Sequence, residues 1–260
     1  MELQSAPTLS SGTTEAIVLI KAAPVIGIKN GETVCCAGVD LYGNWLRLYP
    51  VSFRVLEDGK RFKRWDKVRF DWRLPRNDSR GESRHVNSQT LSIHGHVKTS
   101  ERRPLLDRHI VTSLDAELEA GRSLALLQPE ILDFKIVPKP PEKLAMQQAK
   151  IDALHNQEDM FIPKPIVPAK ACPYEFRYVY RTDDGDRKGT CQDWETEATY
   201  FKWSNEYGEQ SALERMAIQF GEVLPKRGLY FAMGTHSMYP ETWLINGLIQ
   251  LKPSEQASLF

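Results

Sequence analysis

A thiol and two carboxylates alternate along the chain near residue 190. They are Cys191, Asp193 and Glu195, and they follow an aromatic segment, residues 172–180, and a polar turn, residues 182–186. A turn of this composition predicts a hairpin, so that the three side chains would share one face of the returning strand. A thiol can act as a nucleophile and a carboxylate as a general acid or base. The pattern therefore favours a hydrolase or hydro-lyase that acts on an acyl or nitrile carbon.

The residues alone leave open one further catalytic group and one alternative chemistry at this site. His236 follows a predicted strand and could enter the same site as a further catalytic group. In a different chemistry, Asp193, Glu195 and Glu197 would hold Mg²⁺ through oxygen ligands, as in metal-dependent nucleases.

A structural interpretation competes with both reactions. Asp193 and Glu195 flank Trp194, and they could form salt bridges with Arg177 and Arg181 across the hairpin. In that case the cluster would hold the hairpin together and would carry no chemistry. Whether the chain is an enzyme stays open at this point, and we predict no cofactor.

Composition excludes several classes of protein. Lys and Arg number 34, Asp and Glu number 34, and the formal net charge is zero, so no global charge favours nucleic acid or a membrane. Four cysteines, an adjacent pair at Cys35 and Cys36 and two isolated ones, form neither a disulfide framework nor a zinc motif. With no long apolar run and a polar beginning, we expect a cytoplasmic protein that does not bind membranes.

The first half of the chain has the pattern of a small β-barrel. Short segments of β-forming residues, separated by Gly, Asn and Asp, occur at residues 16–21, 33–39, 45–49, 67–72 and 89–97. This pattern predicts an OB-like or related barrel, although an SH3-like barrel or a sandwich would give similar periodicity. Alternating strand and helix patterns in the last third predict an α+β domain. We therefore predict an α+β protein with an N-terminal barrel joined to a C-terminal α+β domain.

Prolines and composition divide the chain into four parts. We expect a disordered N-terminus, a barrel domain with an appended helix, a proline-rich connection that contains a helix, and the C-terminal domain with the candidate site. The expected bounds are residues 1–14, 15–135, 136–171 and 172–260.

Basic residues concentrate in the barrel. Between residues 45 and 103, Lys and Arg outnumber Asp and Glu by about two to one. In the strand at residues 45–49, alternation places Trp45, Arg47 and Tyr49 on one face and two leucines on the other. An aromatic and basic face of this kind is typical of surfaces that bind single-stranded nucleic acid.

Further arginines could supply phosphate contacts to this face, and we name Arg54, Arg80 and Arg84. The alternative is that Trp45 and Tyr49 lie in the barrel core and that the arginines form an ordinary solvated surface.

Two weaker patterns lie nearby. The polar loop at residues 76–85 could grip an anionic ligand or could be a plain surface loop. His94 and His96 have the i and i+2 spacing of metal ligands, but no third ligand is near them in sequence. We therefore predict no metal site.

The chain also resembles a known group of proteins. The motifs that carry the resemblance lie at residues 33–39, 45–51, 126–134, 173–176 and 193–195. They resemble a widespread family of uncharacterised bacterial proteins associated with DNA-modification or phage-defence islands. Members of that family carry a Cys- and His-containing loop before the Asp-Trp-Glu motif, whereas this chain has residues 183–189 and then Cys191.

The resemblance implies a DNA-associated accessory protein, with DNA and other proteins of the modification or defence system as partners. This family is similar to the deazaguanine DNA-modification component that converts a cyano group to an amide. The barrel would then bind nucleic acid, and the C-terminal domain would recognise or modify a base, such as 7-cyano-7-deazaguanine in DNA. A small-molecule hydrolase and a non-catalytic interaction module are the alternatives.

Overall fold

Two β-sheets, each with its own core, make up this protein. The computed structural model describes residues 10–23, 25–27, 31–52, 56, 58–158 and 170–251. The first sheet forms an N-terminal barrel, and the second belongs to a C-terminal region in which helices pack on a sheet. The predicted class, α+β with an N-terminal barrel, is confirmed.

Seven strands form the first sheet in the described part of the chain. They are β1 (Ser11–Lys21), β2 (Val25–Gly27), β3 (Gly31–Asp40), β4 (Trp45–Val51), β5 (Asp66–Arg73), β6 (Ser83–Val86) and β7 (Ser92–His96). The order β1-β3-β4-β6-β5 closes on itself because β5 also pairs with β1, and β4 and β6 run parallel. A closed, five-stranded barrel with this order is the OB type.

The barrel interior follows from strand alternation. Leu46 and Leu48 of β4 and Val68 and Phe70 of β5 point inward and are buried in one apolar cluster. Residues between them point outward, so β4 has a distinct exterior face. The two leucines, which alternation places on one face of this strand, therefore line the barrel core.

The second sheet has the order β10-β11-β12-β14-β13-β9-β8. Its strands are β8 (Ile110–Val111), β9 (Leu124–Leu127), β10 (Glu130–Pro138), β11 (Tyr174–Thr182), β12 (Gly185–Cys191), β13 (Leu229–Thr235) and β14 (Trp243–Gln250). The helices are α1 (Thr99–Asp107), α2 (Leu114–Glu119), α3 (Pro141–Glu158), α4 (Trp194–Tyr207), α5 (Glu209–Ile218) and α6 (Leu224–Lys226), with a π-helical segment, Gln219–Val223, between the last two.

Each face of the second sheet buries a different partner. On one face the aromatic residues of β11 pack with residues of α4 and α5, such as Tyr200 and Met216. On the other face Leu124, Tyr230 and Ile249 pack against the barrel exterior, including Ala37. The sheet is therefore the common wall between the helices and the barrel.

Element boundaries differ from the sequence prediction in two places. The second sheet begins at β8, so residues 110–135 belong to it and not to the barrel domain expected at 15–135. At the N-terminus, β1 already begins at Ser11, inside the expected disordered stretch 1–14, and residues 1–9 lie outside the described residues. Residues 159–169 of the expected connection also lie outside them.

One helix begins at a serine N-cap, and the predictions of a helix in the proline-rich connection and of a hairpin are confirmed. Ser113 caps α2, since its Oγ accepts a hydrogen bond from the backbone N–H of Ala116. The helix α3 lies between the proline clusters, and β11 and β12 form the expected hairpin. Among the described residues, none of the helices combines the length and hydropathy that a membrane span needs.

Candidate functional site

The strand predicted to carry Cys191, Asp193 and Glu195 is shorter in the structure. The strand ends at Cys191, and Asp193 is the N-cap of α4, with its side chain accepting from the backbone N–H of Glu195. The expected placement of three side chains on one strand face is therefore wrong. Asp is a preferred N-cap residue, and this preference is the signal for the helix.

The thiol of Cys191 is buried away from solvent. It is buried in the core between the second sheet and the helices, and its Sγ lies 3.7 Å from the Thr196 Oγ1. Burial and, to a smaller extent, the nearby charge of Asp193 raise the pKa of Cys191 to about 12. Since the thiolate is the reactive form, this environment does not support a nucleophile at neutral pH.

Asp193 joins the barrel to the second sheet. Its side chain is almost fully buried, and its Oδ2 accepts from Arg64 Nη2 at 3.1 Å and from the backbone N–H of Leu248 at 2.6 Å. Arg64 also donates to the carbonyl oxygen of Leu248. Burial raises the pKa of Asp193, while Arg64 acts in the opposite direction. The carboxylate thus has three hydrogen-bond donors and a structural role.

Glu195 and Glu197 do not complete a metal site. Glu195 points to solvent with 57% of its side chain exposed, and its Oε2 lies 3.4 Å from Arg64 Nη2. Burial raises the pKa of Glu197. Groups of three or more His, Cys, Asp or Glu side chains able to hold a metal ion are absent within the described ranges.

The predicted ion pairs across the hairpin are also wrong. Arg177 binds Glu175, and Arg181 binds Asp186 and Glu130. The charged partner of Asp193 is Arg64 instead, which comes from the barrel, so no pattern local to the hairpin could reveal it.

His236 follows β13 and keeps to its own loop. Its Nδ1 accepts from the backbone N–H of Met238 at 3.1 Å, and its ring lies 5.1 Å from that of Tyr239. No contact joins it to Cys191 in the part of the chain that the structure describes. The four residues proposed for catalysis are therefore not brought together.

His94 and His96 have separate partners. His94 Nε2 lies 2.9 Å from Ser92 Oγ, whereas His96 lies between Asp66 and Arg102. The two imidazoles therefore have different hydrogen-bond partners.

The exterior face of β4 is divided along its length. Arg47 is only 3% exposed, because the second sheet covers it, and its Nη2 donates to the carbonyl oxygen of Ser123 at 2.9 Å. Trp45 is half-buried beside His109, with ring centroids 5.6 Å apart. Tyr49 is 38% exposed. The outward stacking face predicted for all three residues therefore survives only at Tyr49.

The loop arginines are engaged within the protein. Arg80 pairs with Asp78 at 2.7 Å and donates to the carbonyl oxygen of Thr235 at 2.8 Å. Arg84 lies over the Trp72 ring, 4.5 Å from its centroid, and donates to the carbonyl oxygen of Gly81. Arg54 lies outside the described residues. Neither described arginine presents a free guanidinium.

A row of side chains crosses the uncovered part of the barrel exterior. Tyr49 of β4 pairs with His85 of β6, and His85 pairs with Arg73 of β5. Paired residues point to the same side of a sheet, so an aromatic ring, an imidazole and a guanidinium are neighbours. We call Tyr49, His85 and Arg73 the open row.

Unpaired cations extend the open row. Arg69 lies on the same face of β5 as Arg73, four residues earlier, and Arg76 follows in the next loop. All three are exposed, and among the described residues none has an ion-pair or side-chain hydrogen-bond partner. Burial and, to a smaller extent, the nearby charge of Arg73 lower the pKa of His85. The open row therefore combines an exposed ring with three exposed arginines, and the acidic residues on the same face are Glu15, opposite Arg69, and Asp71, between Arg69 and Arg73.

A second basic surface lies on the other sheet. Lys135, Arg177 and Lys188 line a shallow cavity of about 350 Å³ beside Tyr178. Lys135 pairs with Asp133, and Arg177 pairs with Glu175, so acidic neighbours offset two of its three charges. This surface is the natural comparison for the open row.

Comparisons with known proteins give families but no activity. The model described as Domain of unknown function (DUF8758) matches residues 12–108, and the one described as Domain of unknown function (DUF8757) matches residues 108–260. Their common border agrees with the transition from barrel to second sheet. None of the curated proteins matches the chain.

Solved structures add a distant likeness. A chain of the structure titled "Structure and Conformational Change of a Replication Protein A Heterotrimer Bound to ssDNA" is 10% identical, and the match covers 97% of this chain and 68% of that chain. The TM-score is 0.24, and a likeness at this level supports no conclusion about this chain.

Proposed function

The chain belongs to the family described as Domain of unknown function (DUF8757), and we propose that it binds single-stranded nucleic acid on the open row of its barrel. The observation that carries this proposal is the juxtaposition of Tyr49, His85 and Arg73 on three paired strands. An exposed aromatic ring beside cations is the combination by which proteins bind single strands without reading their sequence.

The barrel type supports this location. OB-type barrels bind oligonucleotides on the exterior of their second and third strands, which here are β3 and β4, and on the flanking loops. In this chain the second sheet covers part of that exterior, since Ala37 of β3 lies in the same buried apolar cluster as Tyr230 of β13. The end of β4 at Tyr49 is the part that stays accessible to a ligand.

The electrostatics of the open row support the ligand class. Arg69, Arg73 and Arg76 form no salt bridge within the described residues, so a phosphate would not have to break one, although Glu15 lies opposite Arg69 on β1 and Asp71 lies between Arg69 and Arg73 on β5. Each phosphate contact releases counterions, and the affinity should therefore fall as salt rises. Stacking of a base on Tyr49 would add about 1–3 kcal/mol.

The second part of the expected function, modification of a base by the C-terminal domain, stays a prediction. The sequence pattern and the resemblance together predict conversion of the nitrile of 7-cyano-7-deazaguanine in DNA by Cys191 and the two carboxylates near it. Cys191 is buried, and Asp193 is held between Arg64 and Leu248, so neither side chain supports that step. We therefore propose binding, with DNA as the ligand to test first, without an attached reaction.

Fluorescence anisotropy tests the proposal. Labelled single-stranded and double-stranded oligonucleotides are titrated across a salt series with the native chain, with Arg73→Ala, and with Lys188→Ala as the control from the second basic surface. We expect salt-dependent binding of the single strand that Arg73→Ala weakens and Lys188→Ala leaves unchanged. Absence of binding at low salt, or equal loss in both variants, would overturn the proposal.

A further inference from the structure

The second sheet ends in a long strand with an open edge. Within the described residues β10 pairs with β11 on one side and with no strand on the other. The other described strands that have a single neighbour are shorter, since β2 has three residues, β7 has five and β8 has two, whereas β10 has nine. A long unpaired edge is a template for a further strand, and many proteins avoid one by keeping their edge strands short. β10 is therefore the described edge best suited to a partner strand.

Backbone pairing shows which groups of β10 face this edge. Just beyond the paired strands, the N–H of Lys139 donates to the carbonyl oxygen of Pro173. Hydrogen-bonded and non-hydrogen-bonded pairs alternate along an antiparallel ladder, so Phe134 and Ile136 direct their N–H and C=O groups to the open edge. Pro138 lies in the same series, where its missing N–H costs no bond within the sheet. The edge thus offers the backbone groups that an added antiparallel strand would use.

The charges of β10 make this edge complementary to itself. Asp133 and Lys135 are both exposed, and they pair with Val179 and Arg177 of β11, so they point to the same face of the sheet. A second copy of β10 can run antiparallel with Phe134 opposite Phe134. In this alignment Asp133 of each copy lies opposite Lys135 of the other, in the closer, non-hydrogen-bonded type of pair. Two ion pairs would then stabilise the contact.

Apolar residues and like charges favour the same alignment. It places Leu132, which lies at a β-bulge and is 38% exposed, opposite Ile136 of the second copy. A shift by one residue would turn each side chain to the wrong face. A shift by two would place Lys135 opposite Lys135, or Asp133 opposite Asp133, which is unfavourable.

We propose that two copies of this chain form a two-fold dimer through β10, in which their second sheets join as one continuous sheet. The charge pattern identifies a second copy as the partner, because Asp133 and Lys135 supply both members of each ion pair. A contact that uses the same strand on both copies has the two-fold symmetry of most protein dimers. It lies on the second sheet and does not depend on nucleic-acid binding at the open row.

Sedimentation velocity of the full chain, without nucleic acid, tests the dimer. We expect a mass of twice 29.7 kDa at high concentration. Asp133→Lys should weaken self-association about tenfold, because each contact then sets two lysines against each other. Exchange of both charges, Asp133→Lys with Lys135→Asp, should restore it. Lys188→Glu is the matched control, since Lys188 lies on the same face of the sheet but on β12, and it should associate as the native chain does.

Two outcomes would overturn the proposal. A monomer at every concentration would leave the edge to a different protein. Association of Asp133→Lys as strong as that of the native chain would show that these charges do not meet across the contact.

Disulfide crosslinking tests the alignment itself. Chains with Asp133→Cys and chains with Lys135→Cys are mixed and oxidised, since the two positions would lie about 4.5 Å apart between Cα atoms, within reach of a disulfide. We expect crosslinked dimer in the mixture and at least tenfold less in either variant alone, where the introduced thiols are diagonal neighbours about 7–8 Å apart. The native chain, oxidised in parallel, controls for the partly exposed Cys35. Equal crosslinking in all samples would overturn the alignment.

Discussion

Arg47 and Tyr49 lie two residues apart on the same face of β4, yet they have opposite surroundings. The second sheet covers Arg47, while Tyr49 keeps more than a third of its surface open. Strand alternation places both outside the barrel and cannot separate them. What separates them is the docking of another sheet, so an exterior position in one domain is no guarantee of a solvent position in the protein.

The two regions are also stabilised differently. The covered region combines apolar contacts between the sheets with the buried pair of Arg64 and Asp193. The arginines of the open row form no salt bridges among the described residues, although Glu15 and Asp71 lie beside them on the same face. We therefore expect changes in the covered region to alter stability and changes in the open row to alter nucleic-acid affinity.

The largest effect is expected at Asp193. Asp193→Ala leaves Arg64 without its buried partner and removes the N-cap of α4, so the free energy of unfolding should fall by about 3–5 kcal/mol. Glu195→Ala, at a mostly exposed partner of the same arginine, should change it by less than about 1 kcal/mol. Urea denaturation of both variants measures the difference. Equal losses would show that burial does not distinguish the two carboxylates.

Tyr49→Ala should weaken binding of single-stranded DNA by about 1–3 kcal/mol, because a base loses its stacking partner. Tyr42→Ala is the matched control, since Tyr42 is 92% exposed at the tip between β3 and β4. Anisotropy titrations at one salt concentration compare the two variants. A loss at Tyr42 as large as that at Tyr49 would place the ligand elsewhere on the barrel.

The double change Arg69→Ala and Arg73→Ala should reduce the salt dependence. Each lost phosphate contact lowers the slope of log K against log salt by about 0.7 for a single strand, so the expected change is about 1.4. Lys188→Ala serves as the control from the second basic surface. A slope that falls for Lys188→Ala and stays constant for the double variant would exchange the roles of the two surfaces.

The smallest effect is expected from pH. Burial and the neighbouring Arg73 lower the pKa of His85, so its ring is neutral at pH 7 and gains a proton only below the ordinary value of about 6.5. A bound phosphate favours the protonated ring. Affinity for DNA should therefore increase a few fold as the pH falls from 8 to 5, because the ring gains its proton more readily in the complex than in the free protein. His85→Gln should remove this increase, and an unchanged pH profile in that variant would exclude His85 from the interface.

Much of the barrel could be predicted because its strands alternate cleanly. The segment at β6 was missed, since Ser83–Val86 is short and polar and lies within a charged loop. Without β6, neither the closure of the barrel nor the neighbours of Tyr49 could be deduced.

The candidate sites show the same limit. Alternation of the acidic residues around Trp194 predicts a strand at Asp193, although Asp is also a typical helix N-cap, which is its role in the structure. Its true partner, Arg64, is 129 residues earlier in the chain. Tyr49 was predicted, but His85 and Arg73 join it only through pairing between strands that are not consecutive. Sequence patterns indicate local elements, and long-range pairing decides which side chains meet.

The most direct test of the central claim is photo-crosslinking of a thymine-rich single-stranded oligonucleotide to the native chain, with the crosslinked peptides located by mass spectrometry. We predict crosslinks in the peptides that contain Tyr49 and His85, and a loss of these crosslinks at high salt. Crosslinks confined to the surface of Lys135, Arg177 and Lys188, or to the loop of His236, would contradict nucleic-acid binding on the open row.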